Sequence, residues 1–215
     1  MILRGYFRSS TSYRLRIALN LKGLDYQRSP VNLLTGENKE DEFKRLNPFG
    51  TVPALINGDD VLVQSLAILE WLENTYTNPS FLPTNLKAAQ ICRELYFAVA
   101  SDIHAINNLP ALKYLKSEFN ADQAALEKWN ATWIHRTFEP IEARLRDFDW
   151  LSPDLPFGYP TLFEIVLIPQ VYNARRWNTD LSNYPLLTKI DAICGDMDAF
   201  KNAHPSQQSD APGET

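Results

Sequence analysis

The sequence predicts a chain of two unlike parts, an α+β domain followed by an all-helical one, and three observations carry that reading. Over residues 1–78 short apolar runs alternate with helical segments and a hairpin signal. The stretch TNPSFLPTNL, Thr77 to Leu86, then holds two prolines and no periodicity, as linkers do. From Lys87 to Phe148 apolar residues recur at helical spacing (Ile91, Leu95, Val99, then Leu126, Trp129, Trp133) with few strand-like alternations. The expected divisions are residues 1–78, a linker over 79–86, a helical domain over 87–203 and a polar tail over 204–215.

Residues 1–7, MILRGYF, are apolar enough for a buried strand, and Thr11 to Leu21 suits a helix stopped by Lys22-Gly23. A second extended piece reaching Val31 and Leu33 completes a βαβ unit and so a parallel strand pair. The polar stretch TGENKEDEFKR suits a loop and a short exposed helix. Pro53 to Ile56 and Val61 to Val63 flank Asn57-Gly58-Asp59-Asp60, the signal of an antiparallel hairpin. Ser65 suits the N-cap of a third helix through Glu73, giving the order βαββα after the first βα, that is βαβαββα overall. In the second half, Thr161-Leu162-Phe163-Glu164 has the capping-box pattern before an apolar run to Val171. A last helix is expected from Pro185 to Ala203, and HPSQQSDAPGET reads as a mobile tail.

Hydrophobic residues make up 45% of the 215, enough for a sizeable core. The 21 basic and 26 acidic residues are spread along the chain and provide no basic stripe, which argues against nucleic acid as a partner. Cys92 and Cys194 lie in apolar helical contexts without ligand spacing, so they read as buried free thiols of a reducing compartment, with no metal site. Arg4, Arg8, Arg14 and Arg16 interrupt the N-terminal apolar residues, and no run approaches ~18 apolar residues. A cytoplasmic protein with no membrane segment is expected.

The chemistry-bearing pattern is FRSSTSYR, residues 7–14, with four small hydroxyl residues at a strand-to-helix junction. Backbone N–H groups and the helix dipole favour an anion or thiolate there. One hydroxyl would suffice to cap the helix, so capping alone leaves the rest unexplained. Val52-Pro53 opens a strand, where either peptide isomer fits the sequence and a cis bond would present the Val52 backbone to an extended peptide. Gln64 and Ser65 open the third helix, either as a plain cap or as a second anion site.

The segments FRSSTSYRLRIALNLKG, LNPFGTVPAL, VQSLAILEWLE and PTLFEIVLIPQVYNARRW resemble the zeta class of glutathione transferases, the class of maleylacetoacetate and maleylpyruvate isomerases. The resemblance runs on through DIHAINNLPALKYL and DLSNYPLL to HPSQQSDAP. It implies a thioredoxin-like N-terminal domain, an all-α C-terminal domain, glutathione as cofactor, a small acidic organic substrate and a homodimer. It also implies residue roles. Ser9 would hydrogen bond the glutathione sulfur as a thiolate, with Ser10 and Thr11 beside it. Val52 would pair with the cysteinyl backbone, and Gln64 and Ser65 would hold the γ-glutamyl end. Asp102, His104 and Asn108 would face the site from the second domain, although a histidine at helical spacing also suits a structural role. Arg8 and Arg176 would orient the substrate acid, as guanidinium forks match carboxylates; an ion pair is the other reading.

Three departures from the class stand out. Thr11 occupies a position where many members have cysteine, leaving hydroxyl chemistry there and arguing against a thioredoxin-like redox activity. Leu109-Pro110 replaces a segment that carries a further arginine in bacterial maleylpyruvate isomerases. Tyr159 and Glu164 stand where aspartates are usual, and Glu164 should preserve the capping box. The implied reaction is glutathione-dependent cis–trans isomerisation of a maleyl keto acid: thiolate addition, rotation about the resulting single bond, and elimination to the fumaryl form. Conjugation or dehalogenation of small α-halo acids, and a binding module without turnover, are the alternatives.

Overall fold

Residues 1–212 are described by a computed structural model in which four short strands form one sheet. In the first unit β1 (Ile2–Gly5), α1 (Ser10–Leu21), β2 (Gln27–Pro30), α2 (Asp41–Leu46), β3 (Ala54–Asn57), β4 (Asp60–Val63) and α3 (Ser65–Thr75) follow in the predicted order. The sheet order is β2-β1-β3-β4, with β1 parallel to β2 and antiparallel to β3, and the β3–β4 hairpin antiparallel. α1 and α3 pack together. Leu15, Ile17, Ala18 and Leu19 of α1, Ile68, Leu69 and Leu72 of α3 and the sheet residues Leu3 and Leu55 are all buried. Each large aliphatic side chain withdrawn from water in this way contributes about 1.5–3 kcal/mol.

Local chemistry explains where the elements end. Gly23 takes φ 65 after α1, which a residue without Cβ adopts at little cost. The hairpin closes through Gly58, φ 61, with Asn57 opposite Asp60. The second strand stops at Pro30, short of the expected Leu33, because Asn32 turns the chain: its Oδ1 accepts from the N–H groups of Leu34 and Thr35. Ser65 is the first residue of α3 and not its cap; Gln64 takes the cap position without a side-chain bond.

The second unit, Phe81–Gly195, is helical. It contains α4 (Leu86–Phe97), a π-helical turn over Ala98–Ile103, α5 (Leu109–Phe119), α6 (Gln123–Arg146), α7 (Leu162–Arg176) and α8 (Pro185–Gly195). α7 is the central helix, buried almost all round, and α4, α6, α8 and the π-helical turn pack on it. Its start has the predicted capping box: Thr161 accepts from Phe163 N–H, and Glu164 Oε2 accepts from Thr161 N–H at 2.8 Å. α8 is capped from a distance, since the buried Glu142 accepts from Leu186 and Leu187 N–H at 2.8 and 3.1 Å.

Two expectations for the C-terminus need correction. The single helix expected over 185–203 is broken after Gly195, and a short helix α9 (Asp198–Lys201) follows. Residues 196–212 pack with residues 1–80 as part of the first unit. The described part of the tail is fixed rather than mobile, because buried groups of the first unit take their partners from it. Arg16 donates to the Ala203 carbonyl at 2.8 Å, and Asp210 accepts from Phe7 N–H at 2.8 Å and pairs with Arg28 at 2.6 Å. Residues 213–215 of the expected tail lie outside the described residues.

Candidate active site

Antiparallel pairing puts the C-terminal ends of β1 and β4 beside the N-terminal start of β3, since Arg4 and Val63 both pair with Ala54. Three chain segments therefore meet at one end of the sheet. The β1–α1 turn brings Arg8, Ser9, Ser10 and Thr11; the residue before Pro53 brings Val52; the β4–α3 junction brings Gln64 and Ser65. The sheet thus gathers these sequence-predicted residues onto one unit.

Ser9 is the N-cap of α1, its Oγ accepting from Ser12 N–H at 3.3 Å. Ser9 Oγ lies 2.8 Å from Thr11 Oγ1, and Thr11 Oγ1 donates to the Val52 carbonyl at 2.9 Å. These bonds tie the helix start to the start of β3. The Val52-Pro53 bond is cis, as is Asn78-Pro79. Val52 precedes the first laddered residue, Ala54, so the strand ladder does not occupy its backbone groups. Ser12, the fourth hydroxyl, is fully buried and accepts from Tyr6 N–H at 3.2 Å. Its packing leaves no room beyond Gly5, where a Cβ would come within 2.9 Å of Ser12 Oγ.

Gln64 has φ 67 and ψ 106, a conformation outside the favoured regions for an L-residue. Strain of this kind amounts to about 1–3 kcal/mol and concentrates at functional sites. It turns the chain so that the N–H groups at the start of α3 open onto the same end of the sheet as those of α1. Ser65 is buried, and its Oγ accepts from Arg14 Nη1 at 3.4 Å, which sets a guanidinium beneath the start of α3.

Arg8 is half-buried with its guanidinium over the Phe7 ring at 5.7 Å. The remaining expected residues belong to the second unit. Asp102 is exposed within the π-helical turn, and His104 follows it, half-buried. π-helical turns inside helices often mark functional positions. Asn108 caps α5, its Oδ1 accepting from Ala111 N–H at 3.1 Å, which leaves its amide N–H₂ for other partners. Arg176 ends α7, exposed, donating to Asn173 Oδ1 at 3.0 Å.

Sequence reasoning missed Arg14, the Thr11–Val52 bond and Asp210. Arg14 was visible only as one of the arginines that interrupt the N-terminal apolar residues. Asp210 has no local signal at all, being 203 residues from its Phe7 partner.

Cys92 and Cys194 are buried, and burial pushes the Cys92 thiol up to about 12 and the Cys194 thiol up as well. No group of residues that could hold a metal ion occurs among the described residues, and no helix among them is long and apolar enough to cross a membrane.

Residues 8–75 match the family model of the glutathione S-transferase N-terminal domain. Maleylpyruvate isomerase of a Ralstonia species is 47% identical over 212 residues, 98% of this chain and 100% of that protein. A solved holo structure of maleyl pyruvate isomerase, described as a bacterial glutathione S-transferase of the zeta class, superposes with a TM-score of 0.96 at 47% identity, covering 99% of this chain and 100% of that one. Maleylacetoacetate isomerase from Anaeromyxobacter dehalogenans 2CP-1, solved with glutathione bound in its active site, gives a TM-score of 0.86 at 36% identity over 98% of this chain and 97% of that one. With similarity of this degree extending over nearly the whole chain, the protein belongs to the zeta-class glutathione transferases, the family of the maleylpyruvate and maleylacetoacetate isomerases.

Proposed function

We propose that the protein catalyses glutathione-dependent cis–trans isomerisation of a maleyl keto acid, maleylpyruvate or maleylacetoacetate, to the fumaryl form. The observation that carries this reading is the chain of bonds from Ser9 through Thr11 to Val52 at the N-terminus of α1. It offers a hydroxyl for a sulfur, a helix terminus that favours negative charge, and a backbone edge for a peptide, all on one unit. Glutathione fits these groups and, when bound, supplies a thiolate nucleophile that adds reversibly to the substrate double bond and so permits rotation.

The chain's own residues divide the remaining work. Ser9 and the first N–H groups of α1, with Ser10 beside them, hold the sulfur in its charged form. Val52 aligns the cysteinyl backbone. Gln64 and Ser65, with the guanidinium of Arg14 behind Ser65, take the γ-glutamyl end. Asp102, His104 and Asn108 are assigned to the cofactor side as well. Arg8 and Arg176 bind the substrate carboxylates, and their charge stabilises the negative charge that develops next to the keto group.

The test supplies each maleyl substrate with and without glutathione and follows the substrate absorbance. Glutathione-dependent loss without net consumption of glutathione is expected, and Ser9→Ala is expected to lower kcat by about 10²-fold, the scale of losing one donor to a developing anion. No loss of either substrate would refute the reading, and stoichiometric consumption of glutathione would make the reaction a conjugation. We further read the chain as a cytoplasmic homodimer. Exposed Phe49 and Phe97 supply apolar surface for association, and the two buried thiols suit a reducing compartment. Sedimentation equilibrium at twice the chain mass tests the dimer.

A further inference from the structure

The hydroxyl protons around Ser9 can be counted. Thr11 has one, and it is donated to the Val52 carbonyl at 2.9 Å. The 2.8 Å contact between Ser9 Oγ and Thr11 Oγ1 then has only one possible donor, Ser9. In this arrangement the single proton of Ser9 is already committed to Thr11, while its oxygen accepts from Ser12 N–H. For Ser9 to donate to a sulfur, the pair must reverse. Thr11 must turn its proton from the Val52 carbonyl to Ser9, because two oxygens facing each other at 2.8 Å with no hydrogen between them repel. The Val52 carbonyl then loses the Thr11 donor and accepts whatever N–H an extended peptide brings.

We propose that Thr11 is a positioning residue whose one hydroxyl proton is shared between the Val52 carbonyl and Ser9, coupling peptide pairing at Val52 to thiolate stabilisation at Ser9. The inference rests on the reading that Ser9 meets the glutathione sulfur. A peptide N–H arriving at Val52 releases the Thr11 proton to Ser9, and Ser9, now an acceptor from both Thr11 and Ser12, becomes a stronger donor toward sulfur through the polarised chain. No proton changes its oxygen: the Ser9–Thr11 bond reverses direction, the Thr11–Val52 bond gives way to one from the peptide N–H, and Ser9 turns its proton to the sulfur. A thiol whose peptide does not pair with Val52 leaves the Thr11 proton in place and gains less from Ser9. The arrangement thus ties activation of the sulfur to recognition of the peptide that carries it.

The experiment titrates the thiol of enzyme-bound glutathione by its ultraviolet thiolate absorbance in wild type, Thr11→Val, Thr11→Ser, Ser9→Ala and the Ser9→Ala/Thr11→Val double variant. Thr11→Val keeps the shape and removes the hydroxyl, so the bound thiol pKa is expected to rise by about one unit, tenfold in thiolate at a given pH below it. Thr11→Ser should stay near wild type. In the Ser9→Ala background the same Thr11→Val change should add almost nothing, because the two hydroxyls act as one chain. An equal shift from Thr11→Val with and without Ser9, or no shift at all, would overturn the proposal while leaving the isomerase reading intact. No effect of Ser9→Ala itself would remove the Ser9 assignment and this inference with it. Thermal unfolding of each variant checks folding, and Thr11→Ala serves in the same cycle should Thr11→Val fail to fold.

Discussion

Glu164 links pH to the stability of the second unit, and Glu164→Gln isolates the effect. The carboxyl is fully buried in the capping box of α7. Its Oε2 accepts from Thr161 N–H and Thr161 hydroxyl at 2.8 and 2.6 Å, while Oε1 is buried without a hydrogen-bond partner. Burial outweighs those bonds and raises the carboxyl from its ordinary 4.5 to about 7. The sign follows from the protons bound. Between pH 4.5 and 7 the unfolded chain has released this proton and the folded chain has kept it, so stability falls as pH rises. The contribution is present in full below 4.5 and lost once the pH passes about 7, a total of about 3 kcal/mol at 1.36 kcal/mol per pH unit. Gln keeps an oxygen for both Thr161 donors and cannot ionise. The assay is thermal unfolding of both proteins from pH 5 to 8.5. The variant should gain on wild type as pH rises, by about 2–4 °C in Tm for each kcal/mol. A Tm difference that does not change across this range would refute the argument, and a growing advantage for wild type would mean that the fold favours the charged carboxylate.

The hydroxyl cluster and the C-terminal strap give further tests. Ser12→Ala removes the acceptor of the Tyr6 N–H and leaves it buried without a partner, so it should cost about 1–3 kcal/mol of stability in chemical denaturation while kcat at saturating glutathione holds. Ser9→Ala should show the reverse balance, about 1 kcal/mol from the lost cap and a far larger loss of activity. Asp210→Ala strips the partner from Phe7 N–H, next to Arg8 and Ser9, and should lower stability by about 1–3 kcal/mol and raise KM for glutathione; an unchanged KM would confine Asp210 to folding. Cys92 and Cys194, buried with raised thiol pKa, should resist alkylation in the native protein and react fully after denaturation, as mass spectrometry can count.

What the sequence made legible follows the range of the physics that encodes it. The Asn57-Gly58 hairpin, the Thr161 capping box and the Gly23 stop are written within four residues of where they act, and all three occur in the fold. The hydroxyl run of FRSSTSYR was visible as more than a cap needs, and the structure accounts for each member except Ser10, which opens the helix beside Ser9. What stayed hidden is set by long-range partners. Composition suggested a mobile tail, but Asp210 and the Ala203 carbonyl satisfy buried groups at Phe7 and Arg16, and nothing local to either end encodes that pairing. Ser65 looked like a cap because serine before an apolar run usually is one. Its oxygen instead meets Arg14 across α1 and α3, a contact that exists only once the two helices pack.

The same distinction explains why the sulfur site and the fold share residues. A helix start needs one acceptor for its orphan N–H groups, and Ser9 supplies it; a thiolate needs a donor at the same place, which Ser9 can supply as well once its proton is not committed to Thr11, because the cap uses its oxygen. Thr11, two residues on, is within reach of both Ser9 and Val52, so the direction of its one hydroxyl decides whether the Ser9 proton points to Thr11 or to the sulfur. Cysteine, common at this position in the class, brings a weaker donor and a redox liability. The threonine here therefore shifts the site toward hydrogen-bond control of the sulfur. Thr11→Cys should accordingly raise the bound thiol pKa by less than Thr11→Val does and make the protein sensitive to oxidised glutathione through a mixed disulfide. Insensitivity of Thr11→Cys to oxidised glutathione, with the added thiol accessible to alkylation, would count against that account of the residue.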